Sequence, residues 1–109
     1  MSGNEFEKGL AFTYSNSIDY APRAVVSKQI LKKNTGNISL FAFDKDEGLS
    51  EHTAPFDALV HIVEGKADVI LGGKSHILEA GQCIIMPANL PHAIKAVEAF
   101  KMVLTMIKQ

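Results

Sequence analysis

The sequence predicts an all-β protein, a closed sandwich or barrel of two packed antiparallel sheets. From residue 24 onward, short apolar segments alternate with turn signals at close spacing, which is typical of β-sandwiches and barrels. No window of eleven or more residues has the 3.6-residue apolar period of a helix. The pair Gly72-Gly73 separates two of the segments, and paired glycines accept the positive φ of a two-residue β-hairpin.

The turn signals divide the chain into nine predicted strands. These strands cover residues 25–32, 38–44, 49–52, 57–64, 66–71, 74–78, 83–86, 92–97 and 99–107. The first 23 residues carry no strand pattern, so we expect them to be loosely structured or to lie in a subunit interface. Since no repeat, low-complexity tract or linker interrupts the pattern, we expect a single domain over residues 1–109.

Length and composition exclude several classes of protein. A chain of 109 residues with 47% hydrophobic residues fits one domain with its own core. The net charge is −1 and the charges are interspersed, so the basic patch that nucleic-acid binding requires is missing. No apolar run approaches the roughly 18 residues of a membrane span, and the N-terminus does not resemble a secretion signal. We therefore expect a soluble cytoplasmic protein that binds neither nucleic acid nor membrane.

Cys83 is the only cysteine in the chain, so no intrachain disulfide is possible. It is followed by Ile84, Ile85 and Met86. This apolar run predicts a buried, inert thiol.

The predicted strand 57–64 is apolar on both faces. Ala58, Val60 and Ile62 alternate with Leu59 and Val63, whereas a strand with one wet face would alternate between apolar and polar residues. Burial on both faces predicts a second cover for the sheet, and we expect a homodimer with twofold symmetry, the commonest arrangement. The alternative is that the first 20 residues of the chain itself cover this face.

Two segments of the sequence each combine glycines with a histidine. The first covers residues 48–65, begins and ends with glycine and contains His52. The second covers residues 81–96, begins with Gly81, continues to Pro87 and contains His92. Fifteen residues separate the closing Gly65 of the first segment from Gly81.

In their order, spacing and position on predicted strands, these segments resemble the two motifs of the cupin superfamily, in particular the small single-domain conserved-barrel cupins. The resemblance implies a double-stranded β-helix, or jelly-roll, barrel. The chain departs from the family pattern at four positions. Ala54 stands in place of a second histidine, Ala58 in place of a glutamate, Asn89 in place of a glycine and Ala96 in place of an asparagine.

The resemblance also implies a possible divalent metal inside the barrel, because cupins hold one with two or three histidines and a glutamate. His52 and His92 are the two ligands that this chain retains, and imidazoles suit Zn, Fe, Ni or Cu. Asp57 is the best candidate for a third ligand, although strand alternation points it outward unless a bulge near Pro55 reverses its direction. Two buried histidines that are hydrogen-bonded to backbone or water without metal are the alternative.

Three functions are compatible with these residues. The first is a small-molecule-binding protein with a mostly apolar pocket inside the barrel, the usual composition of ligand sites. That pocket would be lined by His52, Ala54, Ala58, Val60, Ile62, Val69, Leu71, His92 and Ile94. The second is a metal-dependent dioxygenase or isomerase that uses His52, His92 and Asp57 or water. The third is a metal-free enzyme with a histidine as general base. The sequence identifies no substrate.

Overall fold

The fold was analysed in a computed structural model, which describes residues 5–108. Nine strands and one short 3-10 helix (Tyr14–Asn16) form the described chain. The strands are β1 (Val25–Lys33), β2 (Gly36–Phe43), β3 (Gly48–His52), β4 (Asp57–Glu64), β5 (Lys66–Leu71), β6 (Lys74–Glu79), β7 (Cys83–Met86), β8 (His92–Ala96) and β9 (Phe100–Ile107). All nine predicted strands are confirmed, each within two residues at either end.

The strands form two antiparallel sheets, as the sequence predicted. The large sheet has the order β1-β2-β9-β4-β7 and the small sheet the order β3-β8-β5-β6. The chain changes sheet repeatedly after β2, which gives the jelly-roll arrangement. Gly72 and Gly73 form the β5–β6 turn with φ of 56° and 83°, as the paired glycines predicted. None of the helices among residues 5–108 is long and apolar enough to cross a membrane.

The main core fills the space between the two sheets. Alternation along β4 turns Ala58, Val60 and Ile62 inward, where all three are buried. Phe43 of β2 stacks on Phe100 of β9 with ring centroids 4.4 Å apart. These side chains belong to one continuous cluster that includes residues from both sheets.

A second, smaller cluster lies on the outer face of the large sheet. Leu40 of β2 and Val103 of β9 are buried there against Ile18. Residues 14–20, here called the N-terminal strap, thus cover part of this face, as the alternative to a partner subunit proposed. Residues 1–23 were expected to be loosely structured or to lie in a subunit interface, and the strap packs more closely than a loosely structured segment would. Residues 1–4 of this region lie outside the described chain.

Lysines hold the strap through its backbone. Lys101 Nζ on β9 donates to Ser15 O at 2.6 Å, and Lys28 Nζ on β1 donates to Ser17 O at 2.8 Å. Lys101 is buried, with its ammonium 3.7 Å from Glu64 Oε2 and 4.9 Å from the Tyr20 ring centroid. The strap does not cover the whole face, because Leu59 and Ile85 remain exposed.

The prediction of a buried Cys83 is wrong. The thiol is exposed at the start of β7, an edge strand of the large sheet. Alternation along β7 turns Ile84 and Met86 inward and Cys83 and Ile85 outward. The four consecutive apolar residues conceal this alternation in the sequence.

Candidate functional site at the mouth of the barrel

His52 and His92 face each other on two neighbouring strands of the small sheet. His52 ends β3 and His92 begins β8, and the two residues are direct partners in the strand register. Their Nε2 atoms are 3.1 Å apart and their ring centroids 4.3 Å apart. The structure therefore brings together two imidazoles that are 40 residues apart in the chain, as the resemblance to the cupin motifs implied.

The two rings differ in their exposure to solvent. His92 is buried, with 6% of its surface accessible, whereas His52 is exposed. Ile94, two residues after His92 on the same face of β8, belongs to the barrel core. The pair thus lies at the mouth of the barrel, where the packed interior meets solvent.

Backbone carbonyls fix the tautomer of both rings. His52 Nδ1 lies 2.9 Å from Ser50 O, and His92 Nδ1 lies 3.2 Å from Leu90 O. A carbonyl oxygen only accepts hydrogen bonds, so each Nδ1 carries a proton and donates it. Each Nε2 consequently carries a free lone pair, and the two Nε2 atoms are 3.1 Å apart. Two lone pairs at this distance repel unless a proton, a metal cation or a ligand donor lies between them.

The loop between β7 and β8 delivers His92 to this position. Its residue Asn89, which stands in place of the family's glycine, has a φ of 67°, a left-handed conformation that asparagine tolerates. Asn89 N donates to Ala54 O at 2.7 Å, and Gly72 N donates to Pro91 O at 2.8 Å. The loop is therefore bound on both sides of the mouth.

Asp57 does not lie where the proposed third metal ligand would have to be. It is exposed at the start of β4, where alternation points it away from Ala58 and the barrel interior, and no bulge reverses that direction. Its Oδ1 accepts a hydrogen bond from Ala88 N at 2.8 Å. Among residues 5–108, no three His, Cys, Asp or Glu side chains are close enough to hold a metal together.

The other two histidines lie away from the pair. His61 is on the large sheet and meets the Tyr14 ring edge-on at 6.4 Å between centroids. His76 Nδ1 lies 3.2 Å from Val69 O on the small sheet. Neither contacts His52 or His92 in the described hydrogen bonds.

The residues predicted to line the pocket fall into two groups. Val60, Ile62 and Val69 are fully buried, and Ala58 and Ile94 nearly so, all within the main core cluster. Ala54 and Leu71 are only half-buried, and Leu71 is the register partner of His92. The first group forms a packed floor beneath the histidines, while the second group lies at the mouth with them.

A cavity of about 580 Å³ lies elsewhere, beside β1 and β2. Its lining includes Ser27, Gln29, Ser39 and Phe6. Neither His52 nor His92 contributes to it.

The histidine pair satisfies the distance requirement for sharing a metal ion. Two metal–nitrogen bonds of about 2.1 Å at cis positions place the nitrogens roughly 3–3.5 Å apart, and the Nε2 atoms are 3.1 Å apart. The pair supplies two donors, and alanines stand at positions 54 and 58. The residues therefore fit an ion whose remaining coordination positions are filled by water or ligand.

Residues 39–108 match the Cupin domain family, which is well over half of the chain. The chain belongs to the cupin family. This cupin retains one histidine in each motif, and those two are the residues that meet at the mouth. A search of curated proteins found no significantly similar sequence.

Solved structures support the same assignment. The cupin is 30% identical to a conserved protein of unknown function from Streptococcus pyogenes, with 95% of this chain and 91% of that chain covered and a TM-score of 0.90. It is 35% identical to a cupin 2 conserved barrel domain protein from Leptotrichia buccalis, with 89% and 47% covered and a TM-score of 0.86. A cupin superfamily protein from Desulfitobacterium hafniense is 25% identical, with 97% and 96% covered and a TM-score of 0.86.

Sequence reasoning did not identify the groups that orient the two rings. Ser50 and Leu90 contribute backbone carbonyls, each two residues before its histidine. A carbonyl carries no side-chain signal, and only its spacing from the histidine is visible in the sequence.

Proposed function

We propose that this cupin binds a small molecule at the barrel mouth, with the His52–His92 pair as its polar anchor. The observation that carries the proposal is the convergence of two Nε2 lone pairs, 3.1 Å apart, at the boundary between core and solvent. A ligand site typically combines apolar walls with a few placed polar groups. Half-buried Ala54 and Leu71 supply the walls, and the packed residues below them supply a rigid floor.

The proposed ligand presents a hydrogen-bond donor or a cation to the pair. Since both Nδ1 protons are engaged by Ser50 O and Leu90 O, the pair offers only acceptors to the mouth. An ammonium group, or the two hydroxyls of a diol, can donate to both lone pairs at once, whereas a single hydroxyl can donate to one of them. Hydrocarbon ligands without a donor leave the lone pairs opposed and are expected to bind poorly.

Nuclear magnetic resonance with small polar probes tests this proposal. Diols, phenols and primary amines are added at about 10 mM, enough to load a site of millimolar Kd. At least one class is expected to shift the amides of Ala54, Leu71 and Ala93. The shifts should vanish in His52→Ala and persist in His76→Ala, a matched control on β6. Shifts that are equal in both variants, or absent with all three classes, contradict the proposal.

A second candidate function is a metal-dependent enzyme, favoured by the fit of the Nε2 separation to a shared ion. His52 and His92 would hold Zn, Fe, Ni or Cu, with water at the remaining positions. Such an ion, when bound, polarises a substrate oxygen or activates dioxygen. Metal analysis of protein purified without an affinity tag, followed by titration with Co²⁺, tests it. A stoichiometric ion that is lost in His92→Ala supports the enzyme, and no binding in the native protein rejects it.

A further inference from the structure

We infer that Asp57 is a positioning residue for His92, because its carboxylate holds the 87–91 loop whose backbone orients the His92 ring. The inference rests on the proposed function, in which the histidine pair is the binding group. It replaces the expectation that Asp57 is a metal ligand.

The first step is the contact between Asp57 and the loop. Asp57 Oδ1 accepts the Ala88 N–H at 2.8 Å, and a carboxylate makes a stronger hydrogen bond to a backbone amide than a neutral acceptor does. Asp57 begins β4 of the large sheet, and its neighbour Ala58 pairs with Met86 at the end of β7, from which the loop leads to β8 of the small sheet. The hydrogen bond therefore holds the first residues of the loop beside β4, where the chain leaves the large sheet.

The second step is the strained conformation of the loop. Asn89, next to Ala88, has a φ of 67°, a left-handed conformation that asparagine tolerates better than most L-residues and that the surrounding contacts hold in place. Two hydrogen bonds flank it, Ala88 N to Asp57 Oδ1 and Asn89 N to Ala54 O. The amides of two consecutive loop residues are thus both held by residues 54–57, Ala88 N by a side chain and Asn89 N by a backbone carbonyl.

The third step leads from the loop to the ring. Leu90 follows Asn89, and its carbonyl accepts the His92 Nδ1 proton at 3.2 Å. A shift of the loop moves this carbonyl and with it the direction of the His92 Nε2 lone pair. Groups that orient a ligating histidine through its other nitrogen typically affect affinity by about 10- to 100-fold. Asp57 acts on His92 Nδ1 indirectly, through the backbone between Ala88 N and the Leu90 carbonyl.

Three variants test the role of Asp57. Asp57→Ala removes the acceptor, and Asp57→Asn keeps a side-chain oxygen at the same position. Asp44→Ala is the matched control, because Asp44 also accepts backbone N–H groups, those of Arg23 and Lys45, in a different loop. Each variant is examined by amide exchange at Ala88, by ring ¹⁵N resonances of His92 and by Co²⁺ affinity.

The inference predicts a specific pattern across the three readouts. Asp57→Ala should speed exchange at Ala88, shift the His92 ring resonances and weaken Co²⁺ binding by about tenfold. Asp57→Asn should restore most of the native value of each readout, because its amide oxygen still accepts from Ala88 N with a weaker hydrogen bond. Asp44→Ala should leave all three unchanged.

Different failures have different meanings. If Asp57→Asn weakens Co²⁺ binding as much as Asp57→Ala does, Asp57 is a ligand and the inference is wrong. If Asp57→Ala leaves the His92 ring resonances unchanged, the inference is also wrong. If His52→Ala leaves Co²⁺ affinity unchanged, the histidine pair is not a metal site and that part of the proposed function is wrong. The role of Asp57 is then still decided by the ring resonances of His92, which are measured without metal.

Discussion

At the scale of single residues, the backbone carbonyl two positions before each histidine decides what the site can do. Ser50 O and Leu90 O take the Nδ1 protons and leave His52 and His92 with opposed Nε2 lone pairs. Reversal of either tautomer would turn one acceptor into a donor and let the rings satisfy each other. The chemistry proposed for the site depends on these two contacts as much as on the imidazoles.

The packed floor of the site gives a first prediction. Ile62 is fully buried in the main core cluster, so Ile62→Ala is expected to lower the free energy of unfolding by about 2–5 kcal/mol. Ile77→Ala on the exposed face of β6 is the control, with an expected loss below about 0.5 kcal/mol. Urea denaturation measures both. A loss below about 1 kcal/mol for Ile62→Ala would indicate an open pocket around it instead of packed neighbours.

The sequence predicted the histidine pair better than its surroundings. Two glycine-flanked motifs at the right spacing were enough to bring His52 and His92 together. The direction of Asp57 also follows from simple alternation along β4, and the bulge that would have reversed it is absent there. Burial depth was not predictable in the same way, because the pattern of Val60 and Ile62 is identical for a pocket wall and for a packed core.

At the scale of elements, the N-terminal strap is held by one buried and one exposed lysine. Lys101→Met removes the buried amine and leaves Ser15 O without its donor. The expected loss is about 1–3 kcal/mol of unfolding free energy, together with faster amide exchange across residues 14–20. Lys28→Met is the matched control, because Lys28 is exposed and donates to Ser17 O. Equal effects of both substitutions would contradict the role of burial.

Because of Tyr20, attachment of the strap should weaken at alkaline pH. Partial burial, followed by the hydrogen bond that its hydroxyl donates to Glu64 at 2.7 Å, raises the pKa of Tyr20. The folded state therefore holds the phenol proton more tightly than the unfolded chain does. The stabilising effect is complete below the unfolded pKa of about 10 and is lost as pH rises toward the higher folded value.

The difference in stability between the native protein and Tyr20→Phe isolates this effect. It should be constant up to about pH 10, the ordinary tyrosine pKa, and should change above it as the native protein loses stability. Chemical denaturation at a series of pH values measures it. A difference that stays constant throughout the alkaline range contradicts the argument.

The strand bounds could be predicted from the sequence, but the packing of the strap and the exposure of Cys83 could not. Strand bounds followed from turn signals, and β4, β5 and β7 were predicted without error. The strap was expected only as the alternative to a partner subunit, because Lys101 and Lys28 bind its carbonyl oxygens, and backbone acceptors leave no trace in side-chain periodicity. Cys83 was missed because alternation is invisible in a strand whose residues are all apolar.

At the scale of the whole molecule, the predicted homodimer remains a prediction. Leu59 and Ile85 are direct register partners on the outer face of the large sheet, and both are exposed beside the strap. We expect Leu59→Asp with Ile85→Asp to shift sedimentation from dimer to monomer, since a charge buried in an interface is costly. Ile77→Asp on the small sheet is the control. A native protein that sediments as a monomer contradicts the dimer.

The most direct test of the central claim is the protonation of the two rings, observed by long-range ¹H–¹⁵N spectra of histidine-labelled protein. Our account predicts that His52 and His92 both carry the proton on Nδ1 and that one equivalent of Zn²⁺ shifts the Nε2 resonances of both rings together. A ring with its only proton on Nε2, or a Zn²⁺ response confined to one histidine, would contradict it.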